Sequence, residues 1–360
     1  MNSKNWIESP DDPALDQLCE KISEMANKFE TEDTWPQQQL SECGKAGVFS
    51  WFLPNQYGGQ QWSDADVVRG YLKLSAACLT TTFVITQRTG ACRRIALSEN
   101  EATKTELLTD LCSGKTFSTV GISHLTTSRR HLKKPVLRAE KTDTGYRLDG
   151  FSPWITGATA ADSLVIGATL DDGREILITV PCDLPGVSIP DAAQLVGLSA
   201  SQTGRVDFDQ VEVDEKWLLA GPVKNVMHGG SGARTGGLET STLAIGLSTA
   251  ALNFLNAERE KRDDLAIVSA HFDEELMAVT EDLLAASSGQ ASCSNEQLRI
   301  RANSLVLRST QAALTAAKGT GYVQGHPTGR WCREALFFLV WSCPQPVLNA
   351  NLCELAGIEA

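Results

Sequence analysis

The chain lacks most of the residues and patterns that announce a chemistry by themselves. Among its 360 residues are only five histidines, with no HExxH pair and no paired spacing to the cysteines, so no metal centre is expected. The ten cysteines form no CxxC pair, and most lie inside apolar patterns. They read as reduced, buried thiols of a cytoplasmic protein. No apolar run approaches the roughly 18 residues of a membrane span; the most apolar stretch, Ala335 to Trp341, is short. The opening MNSKNWIESPDDP has no apolar segment of the kind a secretory signal carries. Positive charge is also scarce. Lys plus Arg number 32 against 44 for Asp plus Glu, a formal net charge of -12. That balance disfavours a nucleic-acid backbone as partner, because binding one needs concentrated positive charge. It leaves open a small anionic ligand, which needs only a local basic spot. No internal repeat at fixed period is evident.

What is present suits a soluble globular enzyme or a large binding module: 42% of residues are hydrophobic and 21% charged, whereas a disordered chain is poorer in apolar residues. Residues 1–115 read as a helical domain. Leu15, Leu18, Cys19, Ile22 and Met25 recur at helical spacing, and Trp35-Pro36 opens a second helix. Ser63 is placed to cap a run from Asp64 through Thr81, and Asn100 or Thr103 to start a helix ending near Gly114. Residues 116–222 change texture, with short period-two runs separated by Asp143-Thr-Gly145, Asp172-Gly173 and Pro185-Gly186. That pattern predicts an antiparallel or barrel-like β domain and disfavours a Rossmann sheet. Residues 223–360 return to helical spacing after glycines crowding 229–237: Leu243 to Arg259, Leu265 to Leu284, Glu296 to Lys318 and Thr328 to Leu339. The economical reading is one helical array drawn from both ends, with a β domain inserted in sequence.

Five stretches then fall in a recognisable order. They are Leu53-Pro54 with Tyr57-Gly58-Gly59; Gly150 with Trp154-Ile155-Thr156; Gly197-Leu198 with Ser201 and Val206 to Val213; the helix from Ala244 to Glu258 followed by Arg259; and Gly319-Thr-Gly321-Tyr322 followed by Arg330 and Arg333-Glu334. Each alone is weak, but together they span nearly the whole chain, which resembles the acyl-CoA dehydrogenase superfamily of flavoproteins. The resemblance implies an α+β fold: an N-terminal helical domain, a middle β-barrel-like domain and a C-terminal four-helix bundle. It implies FAD between the last two, a homodimer or homotetramer in which a neighbouring subunit completes the flavin site, and an acyl thioester or related small substrate. An electron-transfer or flavin-reductase partner follows from the same chemistry.

By that resemblance Trp154 would pack on the flavin ring and Thr156 would hydrogen-bond near its reactive nitrogen, as an aromatic face with a hydroxyl suits an isoalloxazine. The alternative is a core tryptophan beside a threonine chosen for β propensity. Arg259 matches an arginine that reaches flavin pyrophosphate, although here it continues Glu-Lys-Arg-Asp, and an exposed helix-face partner is the competing reading. Gly319 and Gly321 match a turn near the adenosine portion. The family's Thr-Glu-Pro and Gly-Ser-Asp segment is absent. In its place stands Thr119 to His131, whose Ser123, Arg129 and Arg130 are the candidate substrate contacts, against a solvated basic loop.

The catalytic base is the main departure. Most of the family keeps a glutamate eight residues after the aspartate of an Arg-Asp pair, and counting from Glu334 places Ser342 there. A serine without an activating partner cannot take an α-proton at neutral pH. A minority keeps its glutamate at the start of the first C-terminal helix, and that position is Glu239, the candidate base. Helix-start charge alone would also select a carboxylate there. Loss of the glutamate at 342 equally suits a flavin monooxygenase on the same fold, with His124, His131 or His326 near the flavin. A degenerate, non-catalytic binding protein is the third reading.

Overall fold

A computed structural model describes residues 6–30, 34–126, 135–228 and 237–358. The first helices start and stop where local chemistry says they should. In α1 (Pro13–Ala26) the Asp12 carboxylate accepts from the Ala14 N–H, and Leu15, Leu18, Ile22 and Met25 are buried on one face. After α2 (Gln37–Lys45), Ser63 caps α3 (Asp64–Ala77) by accepting from the Asp66 N–H. The single run expected from Asp64 to Thr81 is in fact broken. Cys78 is extended (φ -158°, ψ 105°), so α4 (Leu79–Leu97) starts as a separate helix. Hydroxyls secure the break, because the Thr82 hydroxyl donates to the Cys78 carbonyl and Thr81 contacts the Cys78 thiol. Helix α5 (Glu101–Ser113) is capped by Asn100 and ends at Gly114, whose φ of 74° suits glycine.

The sheet comprises β1 (Ser118–Gly121), β2 (Leu137–Lys141), β3 (Gly145–Thr156), β4 (Ser163–Leu170), β5 (Glu175–Pro181), β6 (Val187–Ser188), β7 (Thr203–Asp214) and β8 (Leu218–Val223), with the one-turn helix α6 (Ser123–Thr126) after β1. Its order is β6-β7-β3-β2-β4-β5-β8. The barrel-like expectation is overturned: β6 and β8 are two open edges and do not pair with each other. Nor is the sheet purely antiparallel. Strand β4 runs parallel to β1 along Ser163–Ile166 and parallel to β2 at Thr169 and Leu170. Two strands thus share one edge of β4, and the sheet forks there instead of curling shut. Period-two alternation reports only which residues face a core, and both open and closed sheets produce it.

The C-terminal helices are α7 (Glu239–Arg259), α8 (Ala266–Ser287), α9 (Asn295–Gly321), α10 (Pro327–Ala335), α11 (Phe337–Val340) and α12 (Gln345–Ala356). Only α7, α8 and α9 are long. The fourth element expected of a bundle is divided, since the run expected from Thr328 to Leu339 stops at Ala335 and resumes at Phe337. Helices from the two ends of the chain pack together. The Ser75 hydroxyl of α3 donates to the Leu243 carbonyl of α7 at 2.9 Å, and a Cβ on Gly246 would meet the Ser75 side chain. One apolar cluster joins Leu79 and Phe83 of α4, Leu198 before β7, Leu243 and Leu247 of α7 and Phe338 of α11. Among the described residues no helix is long and apolar enough to cross a membrane.

Candidate functional site

Strand β3 carries the first part of the site. Ser152 pairs with Val206 and Ile155 with Gly204, so Pro153 and Trp154 together face the single residue Arg205. Such a bulge re-aims a side chain. Trp154 is 40% exposed on a strand whose neighbours Ile155 and Thr156 are buried. Beside it the Thr156 hydroxyl meets that of Thr203 at 2.9 Å, and Thr203 meets Ser201 at 2.9 Å. Ser152 Oγ is buried and has no hydrogen-bond partner. A backbone peculiarity supports this strand: Gly150 has φ +123°, and any Cβ there would strike the Val136 carbonyl.

The second part follows β1. Ser123 Oγ, in α6, is buried and unpartnered. His124 Nε2 lies 2.7 Å from the Gly167 carbonyl, so Nε2 carries the proton and Nδ1, also buried and unpartnered, is an acceptor. Burial pushes the His124 pKa down to about 4, against the opposing hydrogen bond to Gly167. Arg129, Arg130 and His131 lie outside the described residues.

The third part is where α7 begins. Glu239 is its first residue, and no side-chain hydrogen bond caps the helix, whose N-cap is Leu238. Glu239 has no hydrogen-bond or ion-pair partner among the described residues. It does lie within electrostatic range of two buried groups on α3 and α4. Burial lowers the Arg94 pKa to about 10, and the Glu239 charge opposes that fall. Burial pushes the Tyr71 hydroxyl up to about 12 and Glu239 adds to the rise, although a hydrogen bond to Thr89 at 2.6 Å opposes it. Arg94 Nη1 donates to the Gly90 carbonyl at 2.7 Å, while its Nε is buried with no partner. Sequence reasoning missed Arg94. Its signal was the Arg93-Arg94 pair, following Arg88, within an otherwise apolar and hydroxyl-bearing helix.

The remaining candidates sit elsewhere. Arg259 ends α7, 20 residues and about 30 Å of helix from Glu239. Its Nη1 donates to Ser269 Oγ at 3.2 Å and lies 3.9 Å from Asp273. Arg262 donates to the Ala316 carbonyl at 2.9 Å, which places the end of α9, with Gly319 and Gly321, beside it. The expected turn at Gly319–Tyr322 is the last turn of α9 after a kink at Lys318 (φ 57°, ψ -148°). Gly321 is closely packed, since a Cβ would come 2.7 Å from Thr328 Oγ1, whereas nothing lies within 4 Å of one on Gly319. One chain therefore groups Arg259, Gly319 and Gly321 at the far end of the bundle, away from Glu239.

Next to Ser342 the structure places an aromatic cluster. Trp341 stacks on Phe337 at 5.2 Å, with Phe83 edge-on to both. Ser342 itself is left-handed, at φ 43°. Glu334 is buried in an ion pair with Arg330 at 3.2 Å and accepts from the Thr80 hydroxyl at 3.3 Å. Its oxygens are therefore committed to Arg330 and Thr80. Among the described residues no cluster of three or more His, Cys, Asp or Glu could hold a metal ion.

Comparison with known proteins agrees with this architecture. The model of the acyl-CoA dehydrogenase N-terminal domain family matches residues 12–115. The probable acyl-CoA dehydrogenase YngJ of Bacillus subtilis (strain 168) is 22% identical over 337 residues, 88% of each chain. Butyryl-CoA dehydrogenase from Megasphaera elsdenii shares the fold with a TM-score of 0.82 at 18% identity, over 96% of this chain and 97% of that one. Dibenzothiophene monooxygenase (TdsC) from Paenibacillus sp. A11-2 shares it with a TM-score of 0.76 at 15% identity, over 94% and 95%. Residues 12–115 thus match the acyl-CoA dehydrogenase N-terminal domain family, and the chain as a whole shares the fold of these flavoproteins.

Proposed function

We propose that the protein is an FAD-dependent oxidoreductase that dehydrogenates an acyl thioester or a related small acyl substrate. The observation that carries this reading is the β3 bulge, which lifts the indole of Trp154 out of the ladder beside the Thr156–Thr203–Ser201 hydroxyls. An exposed aromatic face with a hydrogen-bonding edge fits a flavin ring, and the unpartnered Ser152 hydroxyl fits a polar ligand atom nearby. Trp154 and Thr156 would hold FAD, which would supply hydride-accepting chemistry toward the substrate β-carbon. Glu239 would take the α-proton, becoming a neutral carboxylic acid, and its lack of a hydrogen-bond or ion-pair partner among the described residues suits a base. Arg94 would place a buried positive charge within electrostatic range of Glu239. Ser123, with Arg129 and Arg130, would meet the substrate. In a homodimer or homotetramer, Arg259, Gly319 and Gly321 would serve the FAD of a neighbouring copy, which accounts for their distance from Glu239 within one chain. Electrons would leave to an electron-transfer partner.

The test is spectroscopic. Purified protein incubated with FAD and freed of excess should retain flavin bands at roughly 370 and 450 nm. Anaerobic mixing with a panel of acyl thioesters should bleach the longer band. Absence of retained flavin would sink the whole reading and leave a non-catalytic binding protein.

Ser342 and its aromatic surroundings favour a second reading, a flavin-dependent monooxygenase fed by a separate reductase. Such an enzyme needs no α-proton base. Retained flavin that no thioester bleaches, combined with substrate-dependent oxygen uptake after chemical reduction, would select it.

A further inference from the structure

A cleft of about 470 Å³ opens on the other side of α4, between α2, the end of α5 and the entry to β4. That volume falls in the range of roughly 300–1,000 Å³ usual for small-molecule sites. Its walls are aromatic: Trp6, Trp35, Phe49 and Phe117, with Trp35 and Phe117 edge to face at 5.5 Å. Arg88 also lines it. This side chain is only 1% exposed, its guanidinium lies 4.1 Å over the Phe49 ring, and it donates to the Leu111 carbonyl. No carboxylate pairs with Arg88 among the described residues, and its Nε is buried with no hydrogen-bond partner. Thr116 Oγ1, also in the lining, is buried and unpartnered. The one acid of the lining, Asp162, is committed to the Phe117 N–H at 2.7 Å. Lys45 adds positive charge at the rim, although it pairs with Glu42.

A buried guanidinium without a counter-ion is costly, and a ring face and one carbonyl offset that cost only in part. Aromatic walls around such a cation select a flat apolar body bearing an anion. We propose that this cleft is a second ligand site, taking a small planar aromatic carboxylate whose ring lies among Trp6, Trp35 and Phe117 and whose carboxylate faces Arg88 and Thr116. Its lining shares no residue with the Trp154, Thr156, Glu239 and Arg94 site, so it does not depend on the flavin reading. The two sites adjoin at Gly157. A Cβ on Gly157, the residue after Thr156, would strike the Trp35 ring, so Trp35 braces the end of β3 from the cleft side.

Isothermal titration calorimetry on the full-length protein, loaded with FAD, decides the matter with phenylacetate as probe. Phenylacetate should bind one per chain, with the neutral benzyl alcohol at least about tenfold weaker. Ser41→Trp fills the cleft from the surface of α2 and should abolish phenylacetate binding without moving the melting temperature. Arg88→Met should retain the ring contacts but lose the preference for the carboxylate. Should Arg88→Met fail to fold, Ser41→Trp and the benzyl alcohol comparison still decide. No heat with phenylacetate, equal affinity for benzyl alcohol in the unaltered protein, or binding that survives Ser41→Trp would each overturn the proposal.

Discussion

Polar groups are handled in opposite ways where the helices meet the sheet and at the far end of the bundle. Against the sheet, Ser123 Oγ, Ser152 Oγ, His124 Nδ1 and Arg94 Nε are buried without partners, and Glu239 pairs with nothing among the described residues. At the far end, Arg259 and Arg262 are satisfied by Ser269, Asp264 and the Ala316 carbonyl. Native proteins leave few buried polar groups unsatisfied, and each one calls for an explanation. A concentration of them in one region is what a binding site looks like before its ligand is counted. Satisfied arginines at a half-exposed helix end look like a surface, useful to a cofactor only if another copy brings one there.

The largest effect expected from this contrast is at Glu239. Glu239→Gln should slow thioester-dependent bleaching by about 10²–10⁴-fold in stopped-flow measurements, the usual contribution of a positioned base. Arg259→Ala should leave the bleaching rate of flavin-loaded protein unchanged and instead lower FAD retention. Bleaching by Glu239→Gln at the unaltered rate would remove the proposed base.

The next largest effect is on stability. His124 has a folded pKa of about 4 against an ordinary 6.5. The unfolded chain therefore binds its proton first as pH falls, and stability is lost between these values. The loss amounts to at most ~3 kcal/mol. Urea unfolding from pH 7 to 4 should show this fall, and His124→Gln should flatten that part of the profile. An unchanged slope in the variant would mean that other groups account for the acid sensitivity.

Smaller effects test the far end. Gly321→Ala should destabilise the protein by about 1–3 kcal/mol, because its methyl would press on Thr328 and Ala317. Gly319→Ala has open space and should stay within about 0.5 kcal/mol. Thermal melts of the pair check both. Equal effects would show that the end of α9 is less tightly packed than its geometry implies.

Much of this could be read before any coordinates. Ser63 and Asn100 cap helices because a short polar side chain before a helical pattern has few better uses. Trp154-Ile155-Thr156 was legible only through the family resemblance, which set it after a strand, whereas β3 itself runs to Thr156. What escaped depended on contacts distant in sequence. The Cys78 break in α3–α4 rests on buried thiol and hydroxyl contacts that periodicity cannot register. The role of Arg94 appears only when α7 brings Glu239 towards it from 145 positions away.

Local chemistry thus determined the helical, β, helical order, the caps and the absence of a glutamate at 342, since each follows from a residue and its near neighbours. Tertiary structure alone decided that the sheet stays open. Closure depends on whether edge strands as far apart in sequence as β6 and β8 meet, and alternation along a strand carries no information about that. It also decided which charges keep no partner among the described residues. That is a property of the space between elements, and it separates Glu239, only within electrostatic range of Arg94, from Glu334, paired with Arg330.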